Sequence, residues 1–125
     1  MQPHVLFVDD EAPIRDLLAL FFQKKGCQVT PVATISQAKE LLAETHFHVA
    51  IIDLNLAGED GMELFGYIKT KWSELPVVIF TGMNLSQDML KKALAGRVAA
   101  VVRKTEPMGN LYAEVSKYFP KSPAS

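Results

Sequence analysis

Four short apolar runs in this chain each stop at a charged or hydroxyl side chain, and that repeated ending restricts the fold more than any other feature. Val5-Leu6-Phe7-Val8 ends in Asp9-Asp10, Val49-Ala50-Ile51-Ile52 in Asp53, Val77-Val78-Ile79-Phe80 in Thr81, and Ala99-Ala100-Val101-Val102 in Arg103-Lys104. An unbroken apolar run of this length suits a strand buried on both faces, as in parallel sheets covered by helices. Each such strand would deliver its polar terminator to the edge of the sheet.

The intervening segments carry helical spacing. Pro13 suits a first helical turn, and Ile14, Leu17, Leu18, Phe21 and Phe22 share one face before Lys24-Lys25-Gly26 ends the helix. Val29 to Val32 is a weaker strand, and Pro31 within it predicts a place at the side of the sheet. Ser36 is expected to cap a second helix, with Ala38, Leu41 and Leu42 on its apolar stripe. A third helix after Gly61 carries Leu64, Phe65, Ile68 and Trp72, and Ser73-Glu74-Leu75-Pro76 stops it. Ser86 is expected to cap a fourth helix running to about Ala95, with Leu90, Ala93 and Leu94 buried. Met108 to Phe119 reads as a fifth, with Leu111, Val115 and Tyr118 spaced for packing.

Strands alternating with helices in this way form parallel βαβ units with right-handed crossovers, and helices cover both faces of one sheet. Ligands of such open sheets sit outside the carboxyl ends of the strands, where the strand order reverses. The four terminators should therefore meet in one acidic pocket centred on Asp53. A chain of 125 residues supports one core, so a single domain is expected over residues 1–119, with 120–125 as a linker or disordered tail.

The totals exclude several other classes. A formal net charge of −1 gives no general attraction to nucleic acid or to an anionic membrane. Cys27, the sole cysteine, cannot make an internal disulfide, and no signal peptide or long apolar span is visible, so a cytoplasmic location is expected. His4, His46 and His48 share no spacing with another acidic or thiol ligand and read as strand-flank residues.

Asp9, Asp10 and Asp53 crowded at one edge repel one another unless a cation binds. Without a His or Cys cluster the donors are hard oxygens, which suit Mg2+, an ion that keeps several waters and takes one or two carboxylates. A carboxylate so placed can act as a nucleophile toward a phosphoryl group, with the Lys104 ammonium and Thr81 hydroxyl stabilising its oxygens. Each residue also has a plain structural reading: Asp9-Asp10 as capping residues, Thr81 as a β-branched strand end, Lys104 as a solvated surface charge. Their coincidence at four strand ends favours the chemical one.

With these four motifs in these positions, the chain resembles the receiver domain of two-component response regulators over residues 4 to about 119. The resemblance implies a flavodoxin-like, doubly wound α/β fold, a five-stranded parallel sheet in order 2-1-3-4-5 within a three-layer α/β/α sandwich of five helices. It implies phosphoryl transfer to Asp53 from a sensor histidine kinase or phosphotransfer protein. Asp10 and Asp53 would be direct Mg2+ ligands, the Asn55 carbonyl a third, and Asp9 would act largely through water. Such a domain is a phosphoacceptor switch that at most catalyses its own phosphorylation and dephosphorylation. It would act on an output domain or target protein, without itself binding nucleic acid or membrane. Any homodimer would use the face of the fourth helix, fifth strand and fifth helix.

This chain departs from the family's pattern at several places. The loop after Asp53 reads Leu56-Ala57-Gly58-Glu59-Asp60-Gly61 in place of the usual Met-Pro start, which should loosen it slightly. Val101 stands where a switch Tyr or Phe is common, so the usual coupling from Thr81 to an aromatic ring cannot operate in the same form. Thr105 replaces a proline often found in cis, so a looser Lys104 is expected. Arg97 and Val98 replace the small or acidic residues usual before the fifth strand. Asn55 and Met83 flank the expected site, where they would tune the lifetime of the phosphorylated form. A second function is a receiver-like interaction module that works without phosphorylation. A third, a phosphohydrolase of the haloacid dehalogenase type, fits poorly, because Asp53-Leu54-Asn55 lacks the second acid of that family's Asp-x-Asp and lies on the wrong strand.

Overall fold

The computed structural model describes residues 2–82 and 84–120. Met83 and the tail beyond Pro120 lie outside the described residues, so the expectations placed on them are not addressed. β1 (His4–Val8), β2 (Gln28–Val32), β3 (Val49–Ile52), β6 (Val77–Thr81) and β7 (Ala100–Arg103) form one parallel sheet in the order β2-β1-β3-β6-β7. This is the expected 2-1-3-4-5 arrangement once an additional small hairpin, β4 (Asn55–Leu56) and β5 (Glu59–Asp60), is numbered. Pro31 lies on the edge strand, where its missing N–H breaks no ladder.

The pleat of the strands divides the core. Leu6, Val8, Ala50 and Ile52 point to one face, where Ala38 and Leu42 of α2 (Ile35–Glu44) and Leu64, Phe65 and Ile68 of α3 (Gly61–Lys71) cover them. Val5, Phe7, Val49 and Ile51 point to the other, against Leu18 and Phe22 of α1 (Ala12–Lys24) and Leu111 and Val115 of α5 (Met108–Ser116). Each fully buried Val, Leu, Ile or Phe side chain among them contributes about 1.5–3 kcal/mol. α4 (Gln87–Ala95) is different. Its one buried residue, Ala93, joins Leu54 and Ile79 in a small group, with the half-buried Met89 packed beside it.

Several local expectations need correction. Thr34, not Ser36, caps α2: its backbone is extended, and its side chain accepts from the Gln37 amide. Leu90 and Leu94 are 42% and 63% exposed, because α4 meets the sheet mainly through Ala93 and the half-buried Met89. Leu17 on α1 is likewise exposed, since a helix lying flat on a sheet buries a narrower stripe than its apolar residues span. The last helix ends at Ser116, leaving Tyr118 more than a third exposed. The loop after Asp53 is a tight hairpin, with both Ala57 (φ 51°) and Gly58 (φ 89°) in left-handed backbone as its two-residue turn. No helix among the described residues is long and apolar enough to cross a membrane.

Candidate functional site

The ladder of the sheet itself places the charged groups. Asp9 N–H donates to Val32 O at 3.0 Å, Asp53 N–H to Val8 O at 3.0 Å, and Lys104 N–H to Thr81 O at 2.9 Å. Each residue is thus one rung past the end of its strand and continues the strand's pairing. Asp9, Asp53, Thr81 and Lys104 consequently stand side by side across four adjacent strands. Asp9, Asp53 and Thr81 are buried. Bonds from nearby amides orient the two acids further: Asp9 Oδ1 accepts from Glu11 N at 2.9 Å, and Asp53 Oδ1, over a longer 3.3 Å, from Asn55 N.

Lys104 closes the cluster. Its Nζ lies 2.7 Å from Asp9 Oδ2, 2.8 Å from Asp53 Oδ2 and 3.0 Å from Glu11 Oε1. Burial alone would lower the pKa of this ammonium, but its close contacts with the Asp53, Asp9 and Glu11 carboxylates outweigh it and hold the pKa above the usual lysine value. Asp9 shifts the other way from most paired acids. Its burial raises the pKa more than Lys104 and the Glu11 amide lower it, with Asp53 adding to the rise. Although Asp9 Oδ2 and Nζ are close, they are not aligned as a hydrogen bond, and that buried oxygen keeps unused acceptor capacity.

One carboxylate oxygen from each of Asp9, Asp10, Glu11 and Asp53 lies within 4.8 Å of the others. Such a set of hard donors, one of them buried with spare acceptor capacity, fits a divalent cation. Asp10, Glu11, Asp53, Asn55, Thr81, Gly82 and Lys104 line a cleft of about 360 Å³ there. A larger cleft of about 600 Å³ opens at the opposite end of the sheet, by Phe47, His48, Trp72 and Pro76. It holds none of the clustered carboxylates, so chemistry rather than size selects the smaller one.

The structure brings together all the strand-end residues that the sequence nominates, with Asn55 on the rim. Val101 stands apart, paired with Ile79 in the ladder and packed beside Leu54 and Ala93. Thr105 sits in a closed turn, where Arg103 N–H donates to Glu106 Oε2 at 2.9 Å and Glu106 N–H to Arg103 O at 3.0 Å. The histidines lie away from the site; His4 N–H donates to His48 Nδ1 at 2.9 Å. Two residues were missed by sequence reasoning. Glu11 reaches Lys104, and its position directly after Asp9-Asp10 was the available signal. Gly61 packs so closely behind Asp53 that a Cβ there would run into the Asp53 carbonyl and Leu54 Cα, a need that no spacing rule conveys.

Residues 5–116 match the family model described as the response regulator receiver domain. The chain is 33% identical over 106 residues to the regulatory protein VirG of Rhizobium rhizogenes, covering 85% of this chain and 43% of that one. It spans less than half the length of the curated relatives it matches first. Among solved structures, a CheY-like response regulator receiver domain protein from Methanospirillum hungatei superposes with a TM-score of 0.88 at 20% identity, covering 94% of this chain and 93% of that one. TrrA from Thermotoga maritima, solved in complex with Mg(2+)-BeF, gives 0.85 at 24% identity, over 94% of this chain and all of that one.

Proposed function

The chain belongs to the response regulator receiver domain family, and from that premise we propose that it is a phosphorylation-controlled switch with Asp53 as phosphoacceptor. The observation that carries this reading is the convergence of Asp9, Asp53, Thr81 and Lys104 on adjacent strand ends around one cleft. The donor is the phosphohistidine of a sensor histidine kinase or phosphotransfer protein. An Asp53 carboxylate oxygen attacks phosphorus in line, the O–P bond forms as the N–P bond breaks, and the departing imidazole nitrogen takes up a proton. Thr81 and Lys104 donate to the phosphoryl oxygens as their charge is redistributed. Asp10, Asp53 and the Asn55 carbonyl would hold Mg2+, with Asp9 acting through water. Mg2+ bound there supplies the positive charge that offsets the carboxylates and the incoming phosphoryl group.

The readout is assigned to the face of α4, β7 and α5, where Leu90 and Leu94 are exposed for an output domain, a target protein or a second copy. With Val101 in place of an aromatic ring, the switch acts by repacking α4 over Leu54 and Ile79 rather than by a ring swing. The test is acid-quenched intact mass spectrometry after incubation with acetyl phosphate and Mg2+. Wild type should gain one phosphoryl group, and Asp53→Asn none. An unmodified wild type would favour a receiver-like module that binds partners without phosphorylation, and a modified Asp53→Asn would move the acceptor elsewhere.

A further inference from the structure

The phosphoryl chemistry requires Lys104 to face the arriving oxygens, yet the ammonium is already held by three carboxylates. Two of them, Asp9 and Asp53, are buried parts of the acceptor site itself. The third, Glu11, stands at the rim with a side chain 58% exposed. Glu11 occupies the N-cap of α1, a position that favours short polar side chains able to take an amide of the first turn. Its side chain makes no such bond. Instead it crosses the mouth of the cleft to a lysine 93 residues away in sequence. Helix capping therefore does not account for where this carboxylate points.

Resting on the phosphoacceptor reading above, we propose that Glu11 is a positioning residue that parks Lys104 and must release it before the ammonium can engage a phosphoryl group. The contact acts as a brake on acceptance. A phosphoryl group on Asp53 offers Lys104 more negative charge than a single carboxylate, so the ammonium transfers to it and the Glu11 contact opens. Before that moment the contact competes with every phosphoryl-like anion that enters. Because Glu11 is largely exposed, the brake is modest, roughly a two- to fivefold effect as for other surface ion pairs.

Two substitutions separate contact from charge. Glu11→Gln keeps the length and removes the charge; Glu11→Asp keeps the charge and shortens the reach. Beryllofluoride, a mimic of the phosphoryl group, is titrated at saturating Mg2+ and followed by the Thr81 and Lys104 amide resonances. Initial rates with acetyl phosphate are measured alongside. Both variants should bind beryllofluoride roughly two- to fivefold more tightly than wild type and accept phosphoryl correspondingly faster, with unchanged thermal stability. Affinities equal to or weaker than wild type in either variant overturn the proposal, including the case in which Glu11→Asp alone behaves as wild type. If wild type binds no beryllofluoride, the phosphoacceptor reading has failed and this inference falls with it. If wild type binds and only the variants fail to gain, the inference alone has failed.

Discussion

The carboxyl edge of β1 and β3 and the flank formed by α4 belong to one domain but are held in opposite ways. At the edge, Asp9 and Asp53 are fixed by ladder hydrogen bonds and are themselves buried. Along α4, Ala93 is the sole buried residue, and Leu90 and Leu94 face outward. Chemistry that needs fixed geometry sits where the backbone is over-determined. The surface proposed for the readout sits where little apolar burial would resist a change. The α4 flank also carries local strain: Arg97 adopts φ 61°, left-handed backbone that favours glycine, while the glycine beside it, Gly96, is occupied in letting the Phe65 ring approach.

The largest test of this contrast is a pair of truncations. Leu64→Ala, beneath β3, should cost about 2–5 kcal/mol, whereas Leu94→Ala on α4 should change stability by less than about 0.5 kcal/mol in urea unfolding. Equal losses would break the comparison. Next comes Gly61→Ala, which forces a methyl group into the backbone behind Asp53; a loss of about 1–3 kcal/mol and weakened beryllofluoride binding are expected. Unchanged binding would mean that Asp53 tolerates slack. On the α4 side, Arg97→Gly relieves the strained turn and should raise stability by roughly 0.5–1 kcal/mol.

The smallest effect belongs to the far end of the sheet. Burial, reinforced by neighbouring histidines, lowers the pKa of both His4 and His48 below their ordinary 6.5. A group whose folded pKa is depressed stabilises above its unfolded pKa, and that contribution fades as pH falls through the folded value. Stability should therefore decline as pH drops from 6.5. His48→Gln should flatten that decline, with under about 0.5 kcal/mol of change near neutrality, measured by urea midpoints across the range.

The alternation of apolar runs made the layers readable, because strands buried on both faces have little freedom in composition. The strand ends made the site readable, because topology alone gathers them. Helix faces were read too generously, as Leu17, Leu90 and Leu94 show: periodicity marks an arc but not how much of it the sheet covers. At the start of α2, Thr34 and Ser36 compete as caps, and Gln37 three residues after Thr34 is the signal that favours Thr34. Gln37 Oε1 reaches back one residue beyond the cap, accepting from Ala33 N–H at 3.0 Å rather than from the Thr34 amide that the full motif uses. The hairpin after Asp53 depends on Ala57 taking positive φ, which its type does not announce. Glu11 is visible as a charge, but its partner Lys104 follows β7, 93 residues away in sequence, and that pairing is a product of the fold.

The most direct measurement is a backbone amide NMR titration with Mg2+ and then beryllofluoride, on wild type and on Asp53→Asn. Wild type should show Mg2+-dependent beryllofluoride binding, with shifts at Asp10, Thr81 and Lys104 that spread along α4 and β7, while Asp53→Asn stays silent. A wild-type spectrum indifferent to both additions, or an identical response in Asp53→Asn, would contradict a switch built on Asp53.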